Sequence, residues 1–146
     1  MRPFKDITIK ENEELLKYPV YISLMAANRD GKLDEVEKRA AIKLAHTKSF
    51  SSNPLLMEYF IEAERVFENN IEQIDHDLPK EKAGREAVIN KKILYFQKMV
   101  RRLGKTKTAA MNRSIKSFQT NISRAHHSVI VDFILPLPIP GLTEGL

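Results

Sequence analysis

The sequence of 146 residues contains no cysteine and no tryptophan. Without cysteine, a disulfide scaffold, a thiolate metal site and a cysteine nucleophile are excluded. Only five glycines are present, and none forms the glycine-rich pattern of a phosphate-binding loop or a dinucleotide fingerprint. No serine lies in the G-x-S-x-G pattern of a nucleophile elbow. No catalytic constellation is visible, so we predict that the protein is not an enzyme.

Long apolar runs are also missing. The most apolar stretch, residues 129–135, contains Asp132 and is far shorter than the roughly 20 residues of a membrane-spanning helix. Residues 1–6 lack the apolar core of a signal peptide. The hydrophobic fraction of 42% and the charged fraction of 29% are typical of a soluble globular protein. We therefore predict a cytoplasmic protein without a transmembrane segment.

The two halves of the chain differ in charge. Residues 1–79 carry 11 Lys and Arg against 15 Asp and Glu, whereas residues 80–128 carry 13 against two. The formal net charge of +5 therefore conceals one mildly acidic and one strongly basic half. A basic segment of this kind indicates either a solvated charged surface or contact with a polyanion.

Apolar residues recur at helical spacing along most of the chain. We predict a single all-α domain over residues 1–146, a compact bundle of about five or six helices. Residues 80–128 are expected to contain a long helical hairpin, because two apolar periodic stretches flank Gly104, a typical residue just beyond a helix end. Thr106 or Thr108 is expected to cap the second helix of this hairpin.

Other helix boundaries are indicated by capping residues and prolines. We expect Asn12 to cap the first helix and Pro19 either to kink it or to begin a new one. Pro54, after an asparagine, predicts another helix start. Residues 75–77, directly before Leu78 and Pro79, are expected to form a solvated turn.

The segment between the second and third expected helices is rich in oxygen ligands around Gly31. Such ligands favour Ca²⁺, Mg²⁺ or Mn²⁺ over Zn²⁺, and they predict a weak site for one of these ions. A turn is the alternative interpretation, in which Gly31 supplies a positive φ and two acids cap the next helix without any ion. The predicted ligands are Asn28, Asp30, the Lys32 carbonyl, Asp34 and Glu37.

The spacing of these ligands resembles the last ten positions of an EF-hand calcium loop, although Ala26 stands where an aspartate begins that loop. Residues 26–31, Ala-Ala-Asn-Arg-Asp-Gly, followed by Glu37, also resemble the TerB-like family of small helical domains linked to tellurite resistance and stress operons. This resemblance covers about half the chain, residues 12–79. It implies a helical bundle with a divalent cation site and no defined reaction.

The expected hairpin carries a row of cations opposite its apolar face, with Tyr95 as the only nearby aromatic residue. Such a row binds nucleic acid, an anionic membrane surface or another polyanion or protein partner, or it is simply a solvated face. A third hypothesis is internal pairing with acids spaced four apart in residues 58–72. The predicted contact residues are Lys91, Lys98, Arg101, Arg102 and Lys105.

The C-terminal tail, residues 129–146, alternates apolar residues with prolines and is expected to be extended rather than helical. Its apolar side chains need burial, either on the protein's own core or on a neighbouring subunit. The tail therefore predicts a homo-oligomer as one outcome.

Overall fold

The structure is a computed structural model that describes the backbone of residues 3–27, 35–47 and 54–129, and the side chains of 3–26, 35–46 and 54–124. No strand occurs within these ranges, and the prediction of an all-α bundle is confirmed. The short 3-10 helix Pro54–Leu56 precedes α4. The helices are α1 Ile9–Leu15, α2 Tyr18–Ala27, α3 Glu35–Thr47, α4 Met57–Asp77, α5 Lys82–Arg101 and α6 Lys105–Val129.

The bundle is built around α2. This helix contacts α4, α5 and α6, and all its residues from 18 to 24 are buried. A helix with neighbours on every side must be apolar on every side, and the sequence of α2 meets that requirement. The rings of Tyr18 and Tyr21 pack on Phe96 of α5 at centroid distances of 5.3 and 5.7 Å. Pro19 is its second residue, which confirms that a new helix begins there.

The N-terminal segment is held against the bundle by Asn12. Its side-chain amide accepts a hydrogen bond from the Phe4 N–H and donates one to the Phe4 carbonyl, each at 2.9 Å. The prediction that Asn12 caps the first helix is wrong. Thr8 begins α1 four residues earlier, since its hydroxyl and the Glu11 carboxylate each accept a hydrogen bond from the other residue's backbone N–H.

At its C-terminal end, α4 includes residues for which the sequence predicted a turn. It continues without a break to Asp77, so the expected turn at residues 75–77 is wrong. The reason is the apolar repeat of Ile71, Ile74 and Leu78, which are all buried and extend the core-facing stripe to the helix end. The Leu78 N–H still donates to the Ile74 carbonyl at 3.0 Å before Pro79 follows.

Three residues join α5 to α6, and Gly104 among them has a φ of 95°. This positive φ confirms the role predicted for the glycine. The threonine cap is wrong, because α6 begins at Lys105 and both threonines lie inside it. Thr108 instead donates a hydrogen bond of 2.8 Å to the Val100 carbonyl and so satisfies the end of α5. The two helices contact each other, and both pack on α2.

Within the part of the chain that the structure describes, none of the helices is both long enough and apolar enough to cross a membrane.

Candidate polyanion-binding surface

The predicted divalent cation site falls largely outside the described residues. Of its five predicted ligands, only Glu37 lies within them, in the first turn of α3 and 4% exposed. In the described ranges, no group of three or more His, Cys, Asp or Glu side chains is arranged to hold a metal ion. The site therefore stays a prediction. The ligands outside the described ranges are Asn28, Asp30, Lys32 and Asp34.

The five cations predicted to contact a polyanion are all exposed. Four of them lie in α5 or directly after it, and Lys105 is the first residue of α6. Lys91 and Lys98 are seven residues apart, and Arg101 follows three residues later, so the three side chains project from one side of α5.

Arg102 differs from the other four because it is paired. Its guanidinium donates two hydrogen bonds to the Glu11 carboxylate, at 2.7 and 3.2 Å. The hydrogen bonds from Arg102 hold the pKa of Glu11 below its ordinary value. Two other acids near the N-terminus, one in α1 and one before it, also form ion pairs with cations of residues 80–128. These further pairs are Lys92 with Glu14 at 3.5 Å and Lys107 with Asp6 at 3.3 Å.

The sequence indicated different partners for the basic half. Two acids of α4, expected under one hypothesis to face the hairpin, instead form hydrogen bonds with residues of α3. Glu64 lies 3.1 Å from His46, and Glu72 accepts a hydrogen bond of 3.0 Å from Lys38. Acids that pair with the hairpin come from α1, from the segment before it and, at Asp75, from the end of α4.

We call Lys91, Lys98, Arg101 and Lys105 the cationic row. Among the described residues, none of these four side chains forms an ion pair, in contrast to Lys92, Arg102 and Lys107. Their charges therefore remain directed at solvent, where they attract anions over a distance set by the salt concentration.

A groove of about 590 Å³ lies between α1 and α5, beside the cationic row. The Tyr95 side chain on its wall is 41% exposed, and the Lys92 ammonium group lies 5.6 Å from the centre of the Tyr95 ring. The groove was not predicted, because it exists only where α1 packs on α5. Its lining residues are Lys10, Glu14, Val88, Lys91, Lys92 and Tyr95.

Glu14 is the single acid of this groove lining. Lys17 lies 3.0 Å from its carboxylate and Lys92 lies 3.5 Å from it. Partial burial opposes ionisation, but the hydrogen bonds and charges of the two lysines outweigh it and lower the pKa of Glu14. The carboxylate is therefore ionised at neutral pH, with its charge compensated by two ammonium groups.

A second set of charges joins three helices, and its two cations, Arg85 and Lys38, are buried. Arg85 of α5 is 2% exposed and donates a hydrogen bond to Asp75 of α4. Lys38 of α3 lies 3.4 Å from the same carboxylate group, and it also binds Glu72. Burial opposes the charged form of Lys38, but the two acids outweigh it and raise its pKa. These residues link helices, and they are separate from the cationic row.

Comparison of the chain with models of protein families, with curated proteins and with solved structures finds no match. The TerB-like resemblance therefore stays a prediction, and the chemistry of the described side chains carries the functional argument.

Proposed function

We propose that the protein is a non-enzymatic binding module that contacts nucleic acid through the cationic row. One observation carries this proposal. Four exposed cations lie close together in sequence without an ionic partner in the described ranges, whereas Arg102, between two of them, is held by Glu11. Phosphates of a nucleic acid would supply the missing counter-charges.

The physical basis is the release of counterions. Like charges on one face of a helix repel one another, and in solution they are balanced by small mobile anions. A chain of phosphates replaces those anions and returns them to bulk solvent, which favours binding at low salt. From Lys91 to Arg101 the row extends over about 15 Å of helix, enough to meet several consecutive phosphates.

The test is a titration of a labelled oligonucleotide, followed by fluorescence anisotropy at low salt. A variant with Lys91→Ser, Lys98→Ser and Arg101→Ser should bind about tenfold more weakly or worse. The matched control carries Arg39→Ser, Arg113→Ser and Arg124→Ser, three exposed cations outside the row, and it has the same change in net charge. We expect the control to bind like the wild type.

Two results would overturn the proposal. If both variants lose affinity equally, binding depends on net charge and not on the row. If the protein binds vesicles rich in phosphatidylserine through the row but does not bind the oligonucleotide, its anionic partner is a membrane surface.

We propose weak binding of Ca²⁺, Mg²⁺ or Mn²⁺ by the segment between α2 and α3 as a second candidate function. The TerB-like resemblance, with its link to stress and tellurite resistance, supports it. A further support is that α2 ends at Ala27 and α3 begins at Glu35, with the buried Glu37 in the first turn. Calorimetric titration with Ca²⁺ and Mn²⁺ tests it. Asp30→Asn should abolish the heat, Asp77→Asn should not, and no heat in wild type at millimolar ion would disprove the site.

A further inference from the structure

The cationic row and the α1–α5 groove share one face of α5. Val88 precedes Lys91 by three residues, and Tyr95 follows Lys91 by four, so the three side chains are neighbours on the helix surface. Lys91 belongs both to the row and to the groove lining. A ligand that lies along the row therefore also meets the groove.

This face combines charge with exposed apolar surface. Val88, Leu94 and Tyr95 are 36%, 52% and 41% exposed, and they lie among the cations of the row. Exposed apolar side chains that cluster beside charges are typical of a binding surface. The ligand that complements this surface has an anionic backbone and flat apolar groups that reach beyond it.

We infer that the ligand is single-stranded nucleic acid, with its phosphates on the cationic row and an unstacked base in the groove against Tyr95. The inference rests on the proposed function and narrows its ligand class. A duplex presents phosphates but keeps its base faces stacked, whereas a single strand offers every base face to an aromatic ring. Tyrosine stacks on any base, so binding should depend little on sequence.

Glu14 explains how base and phosphate are distributed on this surface. Its carboxylate lines the groove and pairs with Lys92, the lysine that lies nearest the Tyr95 ring among those the structure places there. Lys17 and Lys92 compensate its charge, which makes the groove compatible with an uncharged ring. The Lys92 charge is taken up by Glu14, whereas the row has no such partner among the described residues, so phosphates are expected on the row and a base beside Tyr95.

The test compares four ligands by competition against a labelled single strand: the same strand without label, a duplex of that sequence, inorganic polyphosphate and poly-glutamate. The variants are Tyr95→Ser and Tyr95→Phe, with Ile61→Ser as a control at an exposed apolar residue of α4. Tyr95→Ser should weaken single-strand binding about fivefold or more. Tyr95→Phe and Ile61→Ser should bind like the wild type. Polyphosphate binding should be unchanged in these three variants.

The outcomes separate this inference from the proposed function. If the row variant loses affinity for the single strand while Tyr95→Ser does not, the row binds phosphate, and the stacking inference is wrong. If Tyr95→Ser weakens polyphosphate binding as much as single-strand binding, the ring supports the structure of the row and does not stack on a base. If duplex or poly-glutamate competes better than the single strand, the ligand class is wrong. If no ligand binds, the proposed function itself fails.

Discussion

Arg102 holds the Glu11 carboxylate with two hydrogen bonds, whereas the preceding residue, Arg101, forms no ion pair with the described residues. Arg101 is the last residue of α5 and Arg102 follows it with helical backbone angles, so the two side chains point in different directions, about 100° apart around the helix axis. One arginine therefore fixes α1 to the end of α5, and the other extends into solvent. This contrast separates structural cations from cations available to a ligand.

Substitution of Arg102 should lower the stability of the fold, whereas substitution of Arg101 should lower the affinity for an oligonucleotide. Arg102→Gln should lower the midpoint of urea unfolding slightly, because α1 loses its link to α5, and it should leave oligonucleotide affinity nearly unchanged. Arg101→Gln should leave the midpoint unchanged and lower the affinity. Circular dichroism and anisotropy titration of both variants measure the two quantities. Equal loss of affinity in both variants would contradict the division of roles.

The pairing of Glu11 predicts a dependence on pH. Arg102 lowers the pKa of Glu11 in the folded protein below 4.5, the value expected in the unfolded chain. The stability that this pair contributes is therefore present above pH 4.5 and is lost as the pH falls through the lower, folded pKa. The stability difference between wild type and Arg102→Gln should shrink between about pH 6 and about pH 3, as urea unfolding will measure. A difference that stays constant would show that the pair contributes nothing.

The ion pair between Asp75 and the buried Arg85 should contribute more to stability than the more exposed pair of Glu11 and Arg102. Asp75→Asn leaves the 2% exposed guanidinium of Arg85 without its carboxylate, and we expect a loss of about 3 kcal/mol in unfolding free energy. Asp77→Asn, two residues later and exposed, is the control and should change little. Adding Arg85→Met to Asp75→Asn should recover part of the loss, because the uncompensated charge is removed. Equal stability of the two asparagine variants would contradict this description of the cluster.

Gly104 provides a prediction about the turn between α5 and α6. Its φ of 95° strains any residue with a Cβ, so Gly104→Ala should destabilise the protein by about 1 kcal/mol. Gly104→Asn should cost less, since asparagine adopts this conformation more readily. Thermal unfolding of the two variants measures the difference. Equal melting temperatures for Gly104→Ala and wild type would exclude a requirement for glycine.

Local sequence patterns predicted the helical class, a kink or a helix start at Pro19 and the turn at Gly104, because these depend on neighbouring residues. Local sequence did not determine which of the possible capping residues caps a helix. Asn12 and Thr108 have the chemistry of helix caps, yet one holds the N-terminal segment and the other closes the preceding helix. What selects between such roles is tertiary packing.

The binding surface was predicted only in part for the same reason. Helical spacing identified the cationic row, since it places Lys91 and Lys98 on one side of a helix. It could not separate Arg101 from Arg102, because Glu11 lies 91 residues from Arg102 in the chain. The groove beside Tyr95 likewise depends on the packing of α1 on α5, which no pattern within either helix specifies.

The salt dependence of oligonucleotide binding tests the role of the cationic row most directly. The logarithm of the binding constant falls with the logarithm of the salt concentration by about 0.7 for each phosphate neutralised on a single strand. Replacing Lys91, Lys98 and Arg101 with serine should therefore reduce the slope by about 2. The Arg39, Arg113 and Arg124 control should keep the wild-type slope. A row variant whose slope equals that of the wild type would contradict the assignment of this surface to phosphate binding.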